Sequence, residues 1–81
     1  MSITVLFHSY FRDLTGCSEI REEVPAGSTI GKLRATLEKK FPKLRLMQRS
    51  TLIAVGVEYQ SGDYKLKEGD EVSLFPPVQG G

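Results

Sequence analysis

The last two residues of the chain, Gly80 and Gly81, are suited to chemistry because they carry no side chains. An end built this way fits a narrow channel and lets its backbone approach a phosphate or cofactor closely. The reaction that needs such an end is activation of the terminal carboxylate. A carboxylate is a poor acyl donor until one oxygen becomes a leaving group. Adenylation by ATP achieves this, and the acyl-adenylate is then open to attack by sulfur or by an amine. Attack by sulfur that is then retained gives a thiocarboxylate, a good sulfur nucleophile at neutral pH. A side chain on the last residue would crowd each step. A terminal Gly-Gly arises by chance in roughly one chain in two hundred at ordinary glycine usage, and termini commonly fray, so the pair acquires meaning only from its surroundings.

Those surroundings are Pro76-Pro77-Val78-Gln79, directly after an apolar run. Two prolines fix their own φ angles and favour a stiff, extended exit. The four residues beyond them reach about 13 Å when fully extended. Glu71 to Phe75 reads as the last strand, with Val72 and Leu74 on one face and Ser73 and Phe75 on the other. Phe75 therefore sits opposite the expected core face and just before the tail. It is either a second core contact or an aromatic anchor for a partner, since interface anchors are often aromatic.

Upstream, Ile3 to Tyr10 alternates as a strand, with Ile3, Val5 and Phe7 on one side and Thr4, Leu6 and His8 on the other. Phe11 to Gly16 reads as a short turn. A second strand follows from Cys17 to Val24, with Ile20 and Val24 on one face and Glu19, Arg21 and Glu23 on the other. Ser28 or Thr29 can cap a helix whose apolar stripe is Ile30, Leu33, Leu37 and Phe41, and which Pro42 stops. This is the one helix expected. The stretch from Lys43 to Ser50 gives no clear period. Thr51 to Val57 reads as a third strand, Gly62-Asp63 and Glu68-Gly69-Asp70 as turns, with a short extra strand between the third strand and the last. One helix covers only one face of a sheet. The expected architecture is α+β, a β-grasp (ubiquitin-like) domain over 1–81 with a mixed sheet of four to five strands and an extended tail at 76–81.

Eighty-one residues leave little room for both a core and an enclosing cleft, which favours a module that works with a partner over a free-standing enzyme. Net charge is +1, so general nucleic-acid affinity is not expected. The apolar runs are too short to span a bilayer and the start lacks a basic secretory signature, so the expected compartment is the cytoplasm. The lone Cys17 allows no internal disulfide and no cysteine-based metal site. A basic stretch, Lys32, Arg34, Lys39, Lys40, Lys43, Arg45 and Arg49 against the single acid Glu38, suits an acidic partner or a phosphate, though such runs are usually a solvated face.

Taken together, Val5-Leu6-Phe7, Phe11-Arg12-Asp13-Leu14-Thr15-Gly16, Ser28-Thr29-Ile30-Gly31, Glu68-Gly69-Asp70-Glu71-Val72 and Phe75-Pro76-Pro77-Val78-Gln79-Gly80-Gly81 resemble one family over essentially the whole chain. The chain is similar to the MoaD-type small, sulfur-carrying subunit of molybdopterin synthase, akin to the thiamine sulfur carrier. The Pro-Pro-Val-x-Gly-Gly ending favours the molybdopterin branch. One departure is Gly56, where the family often has asparagine; both accept left-handed geometry.

The resemblance implies that Gly81 carries the adenylate and then the thiocarboxylate, with Gly80, Val78, Pro77 and Pro76 as the recognised tail. It implies three partners. An ATP-dependent, E1-like activating enzyme adenylates the glycine, a sulfurtransferase system supplies sulfur, and a large synthase subunit receives the tail in a heterotetramer. There the sulfur passes to cyclic pyranopterin monophosphate. On this reading the chain binds no cofactor or metal of its own, ATP is used by the activating partner, and the chain is a sulfur-donor subunit with no active site of its own. His8 has no partner in the sequence pattern that would make it a base, and reads as a sheet-surface residue. Cys17 is not needed for sulfur on a carboxylate. Three alternatives stay open: a sulfur carrier for thiamine or another product, a ubiquitin-like modifier joined to lysines, and a binding module with an inert terminus.

Overall fold

The computed structural model describes residues 1–47 and 50–77. Strand β1 is Ser2–Phe7, and its buried positions are Ile3, Val5 and Phe7, as strict alternation requires. The strand stops at Phe7 because Ser9 takes a positive φ of 57° and turns the chain. The segment expected as a plain turn is instead a short helix, α1, Phe11–Thr15, closed by Gly16 in the left-handed region at φ 77°. Glycine adopts that geometry without a Cβ penalty, and its N–H bonds the Arg12 carbonyl. Phe11 is wholly buried and Leu14 packs against the core.

Strand β2, Glu19–Glu23, pairs antiparallel with β1, Val5 opposite Ile20. Helix α2 is Ile30–Lys40, capped by Thr29, whose hydroxyl accepts from the Lys32 amide at 3.3 Å. Ser28 is buried, and its hydroxyl donates to the Pro25 carbonyl at 2.7 Å. The start of α2 is stapled to the loop before the last strand: the Ile30 amide donates to the Tyr64 carbonyl and the Gly31 amide to that of Gly62. A Cβ at Gly31 would lie 3.2 Å from the Gly62 oxygen, which is why glycine stands here despite its helical cost of about 1 kcal/mol. The stripe is as expected: Ile30, Leu33 and Leu37 are buried, and Phe41 packs its ring edge-on to Phe7.

Beyond Phe41 the unpatterned stretch is a 3-10 helix, Pro42–Met47, with Leu44 turned into the core. Strand β3 is Leu52–Val55, shorter than expected, because Gly56 at φ 62° and the exposed Val57 form the turn to β4, Glu58–Tyr59. Strand β5, Glu71–Phe75, has the bounds read from the sequence.

The sheet order is β2-β1-β5-β3-β4, with β1 and β5 parallel and the other pairs antiparallel. With α2 across one face, this is the β-grasp (ubiquitin-like) fold. Parallel pairing of the first strand with the last needs a crossover, which α2 and the segments after it supply. The core cluster joins Ile3, Val5, Phe7, Val72, Leu74 and Ile53 of the sheet to Ile30, Leu33 and Leu37 of the helix. Each such side chain contributes roughly 1.5–3 kcal/mol relative to exposure.

One charged residue is buried with this core. Glu22 lies between Ile20 and Val24 on the inward face of β2, 5% exposed, and accepts from the Lys40 ammonium at the end of α2. A lone buried carboxylate is costly, so the pair ties edge strand to helix. Lys40→Met is expected to destabilise the domain by about 1–3 kcal/mol. That is less than for a wholly buried pair, because the Lys40 side chain is half exposed. Adding Glu22→Gln should recover part of the loss. Urea unfolding of the two variants checks this, and an unchanged midpoint for Lys40→Met would contradict it.

Candidate functional site: the tail exit and the open sheet face

The parallel β1–β5 pair decides where the tail leaves. Phe7 lies opposite Leu74, and the His8 amide continues the ladder to the Leu74 carbonyl at 3.0 Å. On the other side Leu52, the first residue of β3, pairs with Phe75. Phe75, Pro76 and Pro77 therefore depart from the end of the central strand, flanked by the close of β1 and the start of β3. Pro76 is half-buried and Pro77 exposed, which gives the change from fold to tail that the Pro-Pro pair suggested. Proline suits this point because neither residue has an N–H left to pair. The tail residues singled out from the sequence, Val78, Gly80 and Gly81, lie outside the described residues.

The sheet face away from α2 carries the other half of the site. Strand registers place Leu6, Ser73 and Ala54 in a row across β1, β5 and β3, with Tyr59 of β4 opposite Ala54. Nearer the tail, Leu52 is opposite Phe75. Ala54 and Ser73 are buried without any helix above them, while Leu6, Leu52 and Phe75 are half-buried and Tyr59 is 64% exposed. Small side chains flanked by larger ones thus form an apolar floor. Phe75 is its hub: its ring lies 5.5 Å from that of His8 and 5.6 Å from that of Tyr59, both edge-on. Phe75 lies half-buried on the open face and outside the core cluster. It is not a second core contact beneath α2.

His8 belongs to this patch as a sheet-surface residue, exposed and edge-on to Phe75. Tyr59, Leu6 and Leu52 were not singled out from the sequence. The two-residue strand bearing Tyr59 is too short to show a period. Cys17 is half-buried just before β2, and its thiol contacts Thr15 at 3.7–3.8 Å. The Tyr64 hydroxyl has its pKa raised by partial burial and then by the Asp70 carboxylate, to which it donates at 3.3 Å. That contact organises the loop against α2 and lies away from the tail. Among the described residues no three His, Cys, Asp or Glu side chains gather as a metal site, and no helix is long and apolar enough to cross a membrane.

A β-grasp domain whose central last strand runs into a Pro-Pro exit beside an open apolar face belongs to the class of small ubiquitin-like proteins. The ThiS family profile matches residues 5–81, so the chain belongs to that family. It is 35% identical over 81 residues to the molybdopterin synthase sulfur carrier subunit of Escherichia coli (strain K12), covering 98% of this chain and 99% of that one. It is 32% identical over 81 residues to the protein of the same name from Arabidopsis thaliana, covering 100% of this chain and 84% of that one. Among solved structures it superposes, at TM-score 0.74 and 27% identity over the whole of both chains, on a chain from the protein–protein complex of subunits 1 and 2 of the molybdopterin-converting factor of Helicobacter pylori 26695.

Proposed function

We propose that this chain is the sulfur carrier subunit of a molybdopterin synthase, with the Gly81 carboxylate as its reactive group. The observation that carries the reading is the tail exit: the central strand delivers Phe75-Pro76-Pro77 out of the sheet beside an uncovered apolar floor. Full-length likeness to curated sulfur carrier subunits supports it.

An activating enzyme takes the tail into its ATP site. One Gly81 carboxylate oxygen attacks the α-phosphorus of ATP and pyrophosphate leaves. The persulfide of a sulfurtransferase then attacks the carbonyl carbon, forming the C–S bond and releasing AMP with its oxygen. A thiol cleaves the resulting acyl disulfide by attacking the transferase-side sulfur, so that the thiocarboxylate leaves and the thiol ends in a disulfide with the transferase. The thiocarboxylate is carried to the large synthase subunit. Its sulfur attacks a side-chain carbon of cyclic pyranopterin monophosphate and displaces the oxygen substituent held there. Water cleaves the acyl–sulfur bond, leaving sulfur on the pterin and the original carboxylate on Gly81. Two such cycles supply the two sulfurs of the dithiolene. The chain contributes a thin, stiffly presented carboxylate and a docking face, while acid–base groups and ATP belong to its partners. Missing side chains on Gly80 and Gly81 let both partners close around the reacting carbon.

Reconstitution identifies the acceptor. Thiocarboxylated chain mixed with the large subunit and cyclic pyranopterin monophosphate is expected to form the dithiolene and return to the carboxylate mass. Retention of the sulfur in that mixture, with release to a thiazole precursor and its synthase, would move the assignment to thiamine chemistry. Higher-mass conjugates through Gly81 to lysines would make the chain a protein modifier.

A further inference from the structure

The end of the domain from which the tail departs carries a second exposed surface. Helix α1 follows β1 and the 3-10 helix precedes β3, so both lie at the tail end of the parallel β1–β5 pair. They are fastened there. The Arg12 amide donates to the Ser9 carbonyl, and the Tyr10 hydroxyl meets the Met47 sulfur at 3.6 Å. The Met47 carbonyl accepts from the Ser50 amide and from the Thr51 hydroxyl at 2.5 Å, one residue before Leu52 and its partner Phe75.

With about three residues per turn, the 3-10 helix buries Leu44, half-buries Met47 and leaves Lys43, Arg45 and Leu46 outward. Leu46 is 81% exposed and Tyr10 38%. Charged neighbours on this rim are Arg12 and Asp13 of α1 and Lys43 and Arg45 of the 3-10 helix, three cations to one acid, all exposed. Neither Lys43 nor Arg45 makes an ion pair with a described residue. Leu46, next to Arg45 and one 3-10 turn after Lys43, points its apolar side chain to solvent, while the core contact of the segment is made by Leu44.

Tail length brings this rim against the partner that holds the Gly81 carboxylate, and the rim's excess of cations suits an acidic mouth. Beyond Pro77 the four residues to Gly81 reach about 13 Å at most. A carboxylate delivered that short distance into a partner brings the domain's own end against the mouth of the partner's channel. We infer that Lys43, Arg45 and Leu46 dock on the channel mouth of the adenylating partner, a rim of carboxylates around an apolar seat for Leu46. This surface is separate from the Phe75 floor and adds steering by charge to anchoring by an apolar side chain. The inference rests on the proposal that Gly81 is adenylated.

The test is steady-state pyrophosphate release by the activating enzyme, with the sulfurtransferase, its sulfur source and a thiol present in excess, as the concentration of intact carrier is varied, for wild type, the double variant Lys43→Glu with Arg45→Glu, and Leu46→Ser. The charge reversal is expected to raise KM at least tenfold at low salt with kcat unchanged, the gap closing as salt rises. Leu46→Ser is expected to raise KM severalfold at every salt concentration. These positions are exposed, and equal thermal midpoints confirm that the variants fold. Wild-type KM in both variants, with wild type turned over normally, would overturn this docking surface and leave the carrier reading intact. Failure of wild type itself to release pyrophosphate would overturn the carrier reading on which it stands.

Discussion

Deletion of Gly81 is expected to abolish sulfur loading, by at least about a hundredfold, while leaving thermal unfolding of the domain unchanged. One residue of extended chain is roughly 3.3–3.6 Å, and misplacing reacting atoms by even 1 Å costs on the order of 10²-fold. A shortened tail places the Gly80 carboxylate a full residue short of the α-phosphate, because Pro76 and Pro77 give no slack. Among the described residues the last strand ends at Phe75 and the core cluster at Leu74, so the fold is expected to be insensitive to the change. Adding one alanine beyond Gly81 should be equally damaging, since it moves the carboxylate away and puts a methyl group where none fits. Loading is read by intact mass and folding by circular dichroism. Normal loading of either variant would mean that the terminus is not the reacting group.

Phe75→Ala is expected to weaken affinity for the large subunit by roughly 10–100-fold, the range for truncating an aromatic anchor at the centre of an interface. The same change should cost the isolated domain only about 1 kcal/mol, because the ring is half-buried on the open face and touches His8 and Tyr59 rather than the core beneath α2. Tyr59→Ala should follow in the same direction with a smaller effect, as it is the more exposed ring. Calorimetric titration with the large subunit checks both. Unchanged affinity for Phe75→Ala would remove the apolar floor from the docking account.

Much of this was readable before the structure. Alternation at Ile3, Val5, Phe7 and at Val72, Leu74 placed two central strands, and the stripe Ile30, Leu33, Leu37 with Thr29 ahead of it placed α2, because both patterns are direct consequences of burial on one side. The extra turn of helix at Phe11–Thr15 was not readable. Five residues hold too little period to distinguish a turn from a helix, and Gly16 marks the end of either. Pro42–Met47 was missed because threefold spacing over six residues shows only one buried position, Leu44. Glu22 was legible in principle, since period two puts it between Ile20 and Val24, but its acceptance there depends on Lys40, eighteen positions away. Gly56 ended β3 early for a local reason, its left-handed φ, which the strand-forming residues on either side concealed.

The site divides in the same way. Phe75 and the Pro-Pro exit follow from the last strand's alternation, so they could be named from the sequence. The floor around Phe75 could not, because Leu6, Leu52 and Tyr59 come from three other strands and meet only through the order β1-β5-β3-β4.

The most direct measurement of the central claim is the intact mass of the chain after incubation with its activating enzyme, ATP and a sulfurtransferase with a sulfur source. A gain equal to one oxygen exchanged for sulfur, absent without ATP, is the result the carrier mechanism predicts. An unchanged mass, under conditions that sulfurate a known carrier, would contradict it.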